Sequence, residues 1–261
     1  MKERKGNAFT LFFRILFLLS GCAIMLYPYI NGIWVDHVMR RDAEEFLSFV
    51  EIPQEQMLQG DSHVIVHETE GNTVIAPVIY PELWLDMKTY NESIYREGQE
   101  DLFNQSAYEA PSFLMTDYGL ENETFGVISI PKLELEMPLF LGASKPNMAK
   151  GAAIMGETSL PIGGSNTNCV IAGHRGWNGA AYFLYINQLE KGDIVTITNL
   201  WESLTYVVME TRIINPDEVD AIRIQPEREM LTLLTCHPPA SGGKQRMLVF
   251  CERVISEMEV S

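Results

Sequence analysis

The stretch "TLLTCHPPASGGKQRMLVF", residues 232–250, decides how the second half of this chain folds. A run with apolar and β-branched residues ends on Cys236, a loop rich in Pro and Gly follows, and Arg246 opens a second apolar run. Alternation over residues 229–236 puts Thr232, Leu234 and Cys236 on one face of a strand and Leu231, Leu233 and Thr235 on the other. The loop from His237 to Gln245 is nine residues long, with two prolines and two glycines. If the two runs pair as a hairpin, Cys236 and Arg246 face each other at its mouth, within side-chain reach. An arginine is charged at every physiological pH and offers a fork of donors. Beside a thiol it favours the thiolate, and beside a reacting carbonyl it stabilises a developing oxyanion. The competing reading is structural, because a strand cysteine is most often a small buried hydrophobe. Cys169 and Cys251, each set among β-branched or aromatic residues, fit that description.

Working outward, the texture from Phe125 onward is short β runs separated by turns: "FGVISI", "MPLFLG", "TNCVIAGH", "DIVTITN", "SLTYVVMETRII", "EMLTLLTC" and "RMLVFCERVI". Such spacing predicts a mainly β domain over 125–256, a closed or nearly closed antiparallel barrel with short helices. One helix is expected within it, "AAYFLYINQLEKG", ending at Gly192. Upstream, "DHVMRRDAEEFLSFV" (36–50) reads as a helix stopped by Pro53, and 81–103 reads as a packing helix with Pro81 at its start. Between them, two β-branched runs around Glu-Gly-Asn predict a hairpin that looks inserted, over 61–78. His63 and His67 have a metal-binding spacing only on a helix, so on a strand they are solvent-facing. Residues 104–124 read as a polar loop. No repeat or low-complexity segment is present.

With 35 acidic against 19 basic residues and a net charge of −16, the chain lacks the basic footprint of a nucleic-acid binder. Its four cysteines form no CxxC or Cys/His cluster, which argues against a zinc finger or a disulfide scaffold. From Ala8 to Ile30 only Arg14 is charged. As a helix this run spans about 34 Å, enough for a bilayer core of about 30 Å. Bulky residues continue to its end, unlike a cleavable signal, and Lys2, Arg4 and Lys5 precede it. The expected organisation is a cytoplasmic tail (1–7), a transmembrane anchor (8–30), an extracellular helical segment with the hairpin insertion (36–124), and the barrel (125–256). No second anchor is expected.

A cysteine nucleophile needs a group to protonate the leaving amine. His37 lies next to the membrane, His63 and His67 belong to the hairpin, and His237 points away from its neighbour Cys236. His174, placed by glycines at the strand end of "NCVIAGHRG", is the best candidate general acid/base. A metal site built from Cys236, His237 and His174 is the minor alternative.

"TLLTC" with the downstream Arg246, "GHRG" 62 positions before the cysteine, and "VISIPKLELEMPLFLGAS" resemble the sortases, cell-surface transpeptidases of Gram-positive bacteria. The likeness covers about 126–255, and "GETSLPIGGSNTNCVIAGHRGWNGAAYF" looks like the class C, pilus-assembling branch. The resemblance implies Cys236 as nucleophile on the Thr–Gly carbonyl of an LPxTG-like sorting signal. His174 would be general acid/base and Arg246 the carbonyl or oxyanion stabiliser. It implies no metal or organic cofactor, and as partners the sorting signal of a surface or pilin protein and an amine acceptor, a pilin lysine or a cell-wall peptide. It also implies a lid carrying Asp-Pro-aromatic, to which Asp117 and Tyr118 in "PSFLMTDYG" correspond without the proline. Still open are a wall-anchoring enzyme, a cysteine peptidase with the same triad, and a non-catalytic anchored barrel.

Overall fold

The computed structural model describes residues 3–51, 64–69, 72–77 and 79–254. The first element is one continuous helix, α1 (Glu3–Val50), of 48 residues. It merges the apolar run and the 36–50 helix, which the sequence presents as separate segments. Nothing between them breaks a helix: Pro28 is accommodated inside it, and Gly32 costs only about 1 kcal/mol there. The two parts of α1 differ in what covers them. Residues 9–30 are exposed all round, whereas Met39, Ala43 and Phe46 are buried at helical spacing. The helix thus changes from apolar on every face to apolar on one face, as expected where a candidate membrane span continues into a packing helix. Its packing end rests on the barrel, where Arg40 Nη2 donates to Glu134 O at 3.2 Å.

The inserted hairpin is present: β1 (Val64–Thr69) pairs antiparallel with β2 (Asn72–Pro77). His67 lies on β1, while His63 falls outside the described residues. The helix expected over 81–103 is α2 (Pro81–Glu97), stopped by Gly98 at φ 86°, followed by a short 3-10 turn. It buries Leu83, Met87, Asn91 and Ile94. The region expected as loop holds α3 (Gln105–Glu109), whose Asn104 cap accepts from Ser106 N, and a 3-10 turn at Met115–Tyr118. A polar residue such as Asn104 caps a helix there, which composition alone does not distinguish from loop.

The barrel strands are β3 (Thr124–Ile130), β4 (Leu135–Leu141), β5 (Ala152–Ile154), β6 (Thr167–Ala172), β9 (Ile194–Thr198), β10 (Ser203–Ile214), β11 (Glu229–His237) and β12 (Gln245–Arg253). A helical turn, α4 (Lys145–Lys150), precedes β5. The barrel is closed in the order β10-β12-β11-β6-β5-β4-β3-β9. It is mixed rather than antiparallel, since β4–β5 and β6–β11 are parallel pairs. Strand β5 is only three residues long, too short for an alternating run to mark it. The expected helix over 180–192 is instead β8 (Ala180–Tyr182), paired with β7 (Arg175–Trp177), and a 3-10 turn at Ile186–Gln188. Ala180, Tyr182, Phe183, Ile186 and Leu189 imitate helical spacing but are buried one by one by an irregular chain.

Both faces of the β6–β11–β12 sheet are covered. Cys169, Ile171, Leu231, Leu233, Val249 and Cys251 point into the main core. Val170, Ala172, Met230, Leu234 and Leu248 belong to a second cluster on the outer face, with Leu102, Met155 and Ile222. Cys169 and Cys251 are both opposite Leu231, on the strands either side of it. Two strand spacings hold them about 10 Å apart, beyond disulfide reach. Both are free thiols, and burial pushes Cys251 up to about 12.

Candidate active site

The outer face of three neighbouring strands carries the site. In the β11–β12 ladder Cys236 is opposite Arg246, as the hairpin reading of 232–250 expects. On the other side, β11 runs parallel to β6 with Leu234 opposite Ala172. Carrying that register two residues further sets His174 beside Cys236, one strand spacing of about 4.8 Å away. Leu234, Ala172 and Leu248 share the outer cluster, so residues two further along β6 and β11, and two back along β12, face the same way. His174, Cys236 and Arg246 therefore form a row across β6, β11 and β12.

Two hydrogen bonds fix that row. Gly173 N donates to Leu234 O at 3.0 Å, and Thr235 Oγ1 donates to Gly173 O at 2.7 Å. The residue before the histidine is tied on both sides to residues just before the cysteine. The other threonine of "TLLTC" is also buried and bonded, with Thr232 Oγ1 donating to Asn168 Oδ1 of β6 at 2.8 Å. Gly173 is a glycine for space: a Cβ there would stand 2.6 Å from the Phe183 ring. Alternation did not single out these threonines or Gly173, because a side-chain bond across strands leaves no periodic trace.

His174 is half-buried. Its ring stacks on Trp177, with centroids 5.2 Å apart and planes 25° apart, and meets Tyr182 edge-on at 5.6 Å. Burial holds its pKa below the usual histidine value, so the neutral imidazole is favoured. Arg246 Nη1 donates to Gly243 O at 2.6 Å and to Gln245 O at 3.1 Å. A Cβ on Gly243, whose φ is +80°, would stand 2.9 Å from Arg246 Nη1 and 3.4 Å from Cys236 Sγ. The loop glycine keeps the gap between thiol and guanidinium clear of side chain.

A second arginine completes the electrostatics. Arg175 is buried and donates to Leu184 O (3.1 Å), Asn187 Oδ1 (2.8 Å) and Met247 Sδ (3.0 Å). It lies 3.5 Å from His237 Nδ1, which accounts for the other histidine near the cysteine. Burial depresses Arg175, and the charge of a Cys236 thiolate opposes that depression. The thiol is thus flanked by two guanidinium groups in a chain that is otherwise acidic.

Asp117 and Tyr118 sit in the 3-10 turn Met115–Tyr118. The Tyr118 hydroxyl donates to Asp86 of α2 at 2.7 Å and its ring meets Phe113 at 6.2 Å. The aromatic of the pre-barrel segment that feels the Arg246 charge is Tyr108 of α3.

Residues 128–254 match the sortase domain family. This stretch is a sortase domain. Sortase D of Bacillus subtilis is 30% identical over 131 residues, covering 49% of this chain and 63% of that protein. Sortase A of Streptococcus agalactiae is 31% identical over 131 residues, covering 49% of this chain and 51% of that protein. The chain thus spans less than two thirds of either curated relative. Among solved structures, sortase C1 of GBS pilus island 1 superposes with a TM-score of 0.59 at 26% identity, covering 69% of this chain and 86% of that one. The matched stretch of the sortase domain contains His174, Cys236 and Arg246, and begins at β3, after α1 and α2.

Proposed function

We propose that this chain is a membrane-anchored cysteine transpeptidase acting on an LPxTG-like sorting signal. The observation that carries the reading is the row of His174, Cys236 and Arg246 on three adjacent strands, locked by the Thr235–Gly173–Leu234 hydrogen bonds. Cys236 Sγ, as thiolate, attacks the carbonyl carbon between Thr and Gly. Arg246 stabilises the oxygen as charge develops there. The C–N bond breaks as His174, which takes up the thiol proton when the Cys236 thiolate forms, gives that proton to the departing glycine amine, leaving a thioester on Cys236. An incoming amine then attacks the thioester, His174 takes up its proton, and an amide forms as the thiolate leaves. α1 keeps the barrel at the membrane, its first residues cytoplasmic and the barrel outside.

The class C resemblance and the pilus sortase superposition favour a pilin lysine as acceptor. The sequence matches to sortase D and sortase A support a second reading, transfer to a cell-wall peptide amine. A lid role for Asp117 and Tyr118 requires the Tyr118–Asp86 hydrogen bond to open. The test is product analysis with the full-length chain in detergent and an LPxTG peptide, offering a lysine-bearing pilin fragment and a cell-wall peptide in competition. The expected product is the pilin isopeptide. Cell-wall peptide adducts would select the anchoring reading, and hydrolysis unaffected by either amine would contradict transpeptidation.

A further inference from the structure

We propose that the tip of the β7–β8 hairpin is a membrane-docking surface, lying in the phospholipid headgroup layer at the outer end of α1 and holding the His174 strand end at a fixed height above the lipid. The inference rests on α1 being the anchor of the proposed enzyme. Phe9 to Ile30 are exposed throughout, and Asn31 and Gly32 are the first α1 residues covered by the rest of the chain. From Phe9, about 30 Å of bilayer core uses about 20 residues of helix, which brings the outer boundary to Pro28–Gly32.

The hairpin meets α1 at that level and through backbone. A Cβ on Gly32 would stand 2.3 Å from Gly179 O, and one on Gly179 only 1.8 Å from Pro28 O. Asn31 Nδ2 donates to Asn178 O at 2.8 Å. Two glycines thus allow a contact that fixes the hairpin tip to the Pro28–Gly32 turn of α1. The surface chemistry suits lipid. Between Glu157 and Glu190 there is no Asp or Glu, in a chain with 35 of them, and the only Lys or Arg in that stretch is the buried Arg175. Trp177 is exposed at 42%, and Tyr27, Tyr29 and Trp34 of α1 are exposed at the same end. Tryptophan and tyrosine, apolar with a polar tip, concentrate at membrane–water interfaces. Trp177 also stacks on His174, so lipid touching one face of this hairpin lies a single ring from the candidate acid/base.

The test uses the full-length chain in phosphatidylcholine nanodiscs, with and without bromine on the upper acyl carbons. Wild type is compared with Trp177→Phe and Trp34→Phe, so that each difference in emission isolates one tryptophan. The expected result is loss of Trp177 emission in brominated discs, as strong as that of Trp34. Gly32→Leu, which forces the hairpin off the helix, should abolish the Trp177 loss and leave that of Trp34. As a measurement needing no substitution, a gadolinium-chelating headgroup lipid should broaden the His174 ring resonances of the wild type. A chain that enters the discs with Trp177 unquenched and His174 unbroadened overturns the inference while leaving the anchor in place. A chain that does not enter discs removes the anchor reading and the inference with it. Trp177 emission that changes with chain concentration but not with bromine assigns the face to a second copy and overturns the lipid assignment.

Discussion

Thr235 holds the cysteine and histidine strands at one height, through its 2.7 Å hydrogen bond to the carbonyl just before His174. Thr235→Val keeps the shape but leaves that buried carbonyl without its partner, a loss of about 1–3 kcal/mol. Turnover of an LPxTG peptide should fall about tenfold or more, since a misplaced acid/base weakens the step it serves. Alkylation of Cys236 should change little, and equal losses in both would contradict a positioning role. His174 titrates below its usual value near 6.5 because burial penalises the imidazolium. The sign follows from linkage: the folded chain binds less proton here than the unfolded chain, so this group's contribution to stability is present above about pH 6.5 and is lost as pH falls through the folded pKa. NMR of the ring should give a midpoint below 6.5, and one at or above it would contradict that account of its burial. At this scale the sequence showed Cys236 and Arg246 opposite each other through plain alternation. It did not show Thr235, Gly173 or Arg175, whose contacts reach across strands distant in the chain.

Strands and helices were legible where pattern is local. The runs in β3, β4, β6, β9, β10, β11 and β12, the inserted hairpin and α2 all announce themselves by period and punctuation. What failed was non-local or irregular. The parallel pairs β4–β5 and β6–β11 depend on which distant strand comes alongside, and 180–192 mimics a helix because its buried residues fall at three- and four-residue spacing. Helix α2 shows how an element outside the barrel stabilises it. Buried Asn91 donates to Leu160 O at 3.0 Å and accepts from Leu160 N at 2.8 Å, replacing a strand partner for that residue. Asn91→Ala orphans the Leu160 N–H and leaves Leu160 O with its bond from Ile162 N, and the chain should lose about 1–3 kcal/mol of stability in chemical denaturation. A loss under about 0.5 kcal/mol would mean that water takes over both bonds.

For the molecule as a whole, one helix serves two environments. The same α1 that is apolar on every face over residues 9–30 buries Met39, Ala43 and Phe46 along one face further on. The sequence separated these two functions by composition but could not show that they share an unbroken helix, because the change from apolar on every face to apolar on one face looks the same whether or not the chain breaks between them. The net charge of −16 bears on partners in the same way: it excludes a polyanion, while the arginines beside Cys236 make a local exception for a thiolate and an oxyanion. Whether that local exception is a working nucleophile is measured most directly by intact-mass spectrometry of the full-length chain incubated with an LPxTG-type peptide, wild type against Cys236→Ala. Wild type should gain the mass of the acyl fragment ending at Thr and lose it on addition of an amine, and Cys236→Ala should gain nothing. An adduct of equal yield on Cys236→Ala, or peptide cleavage that proceeds without Cys236, would contradict the assignment of the nucleophile.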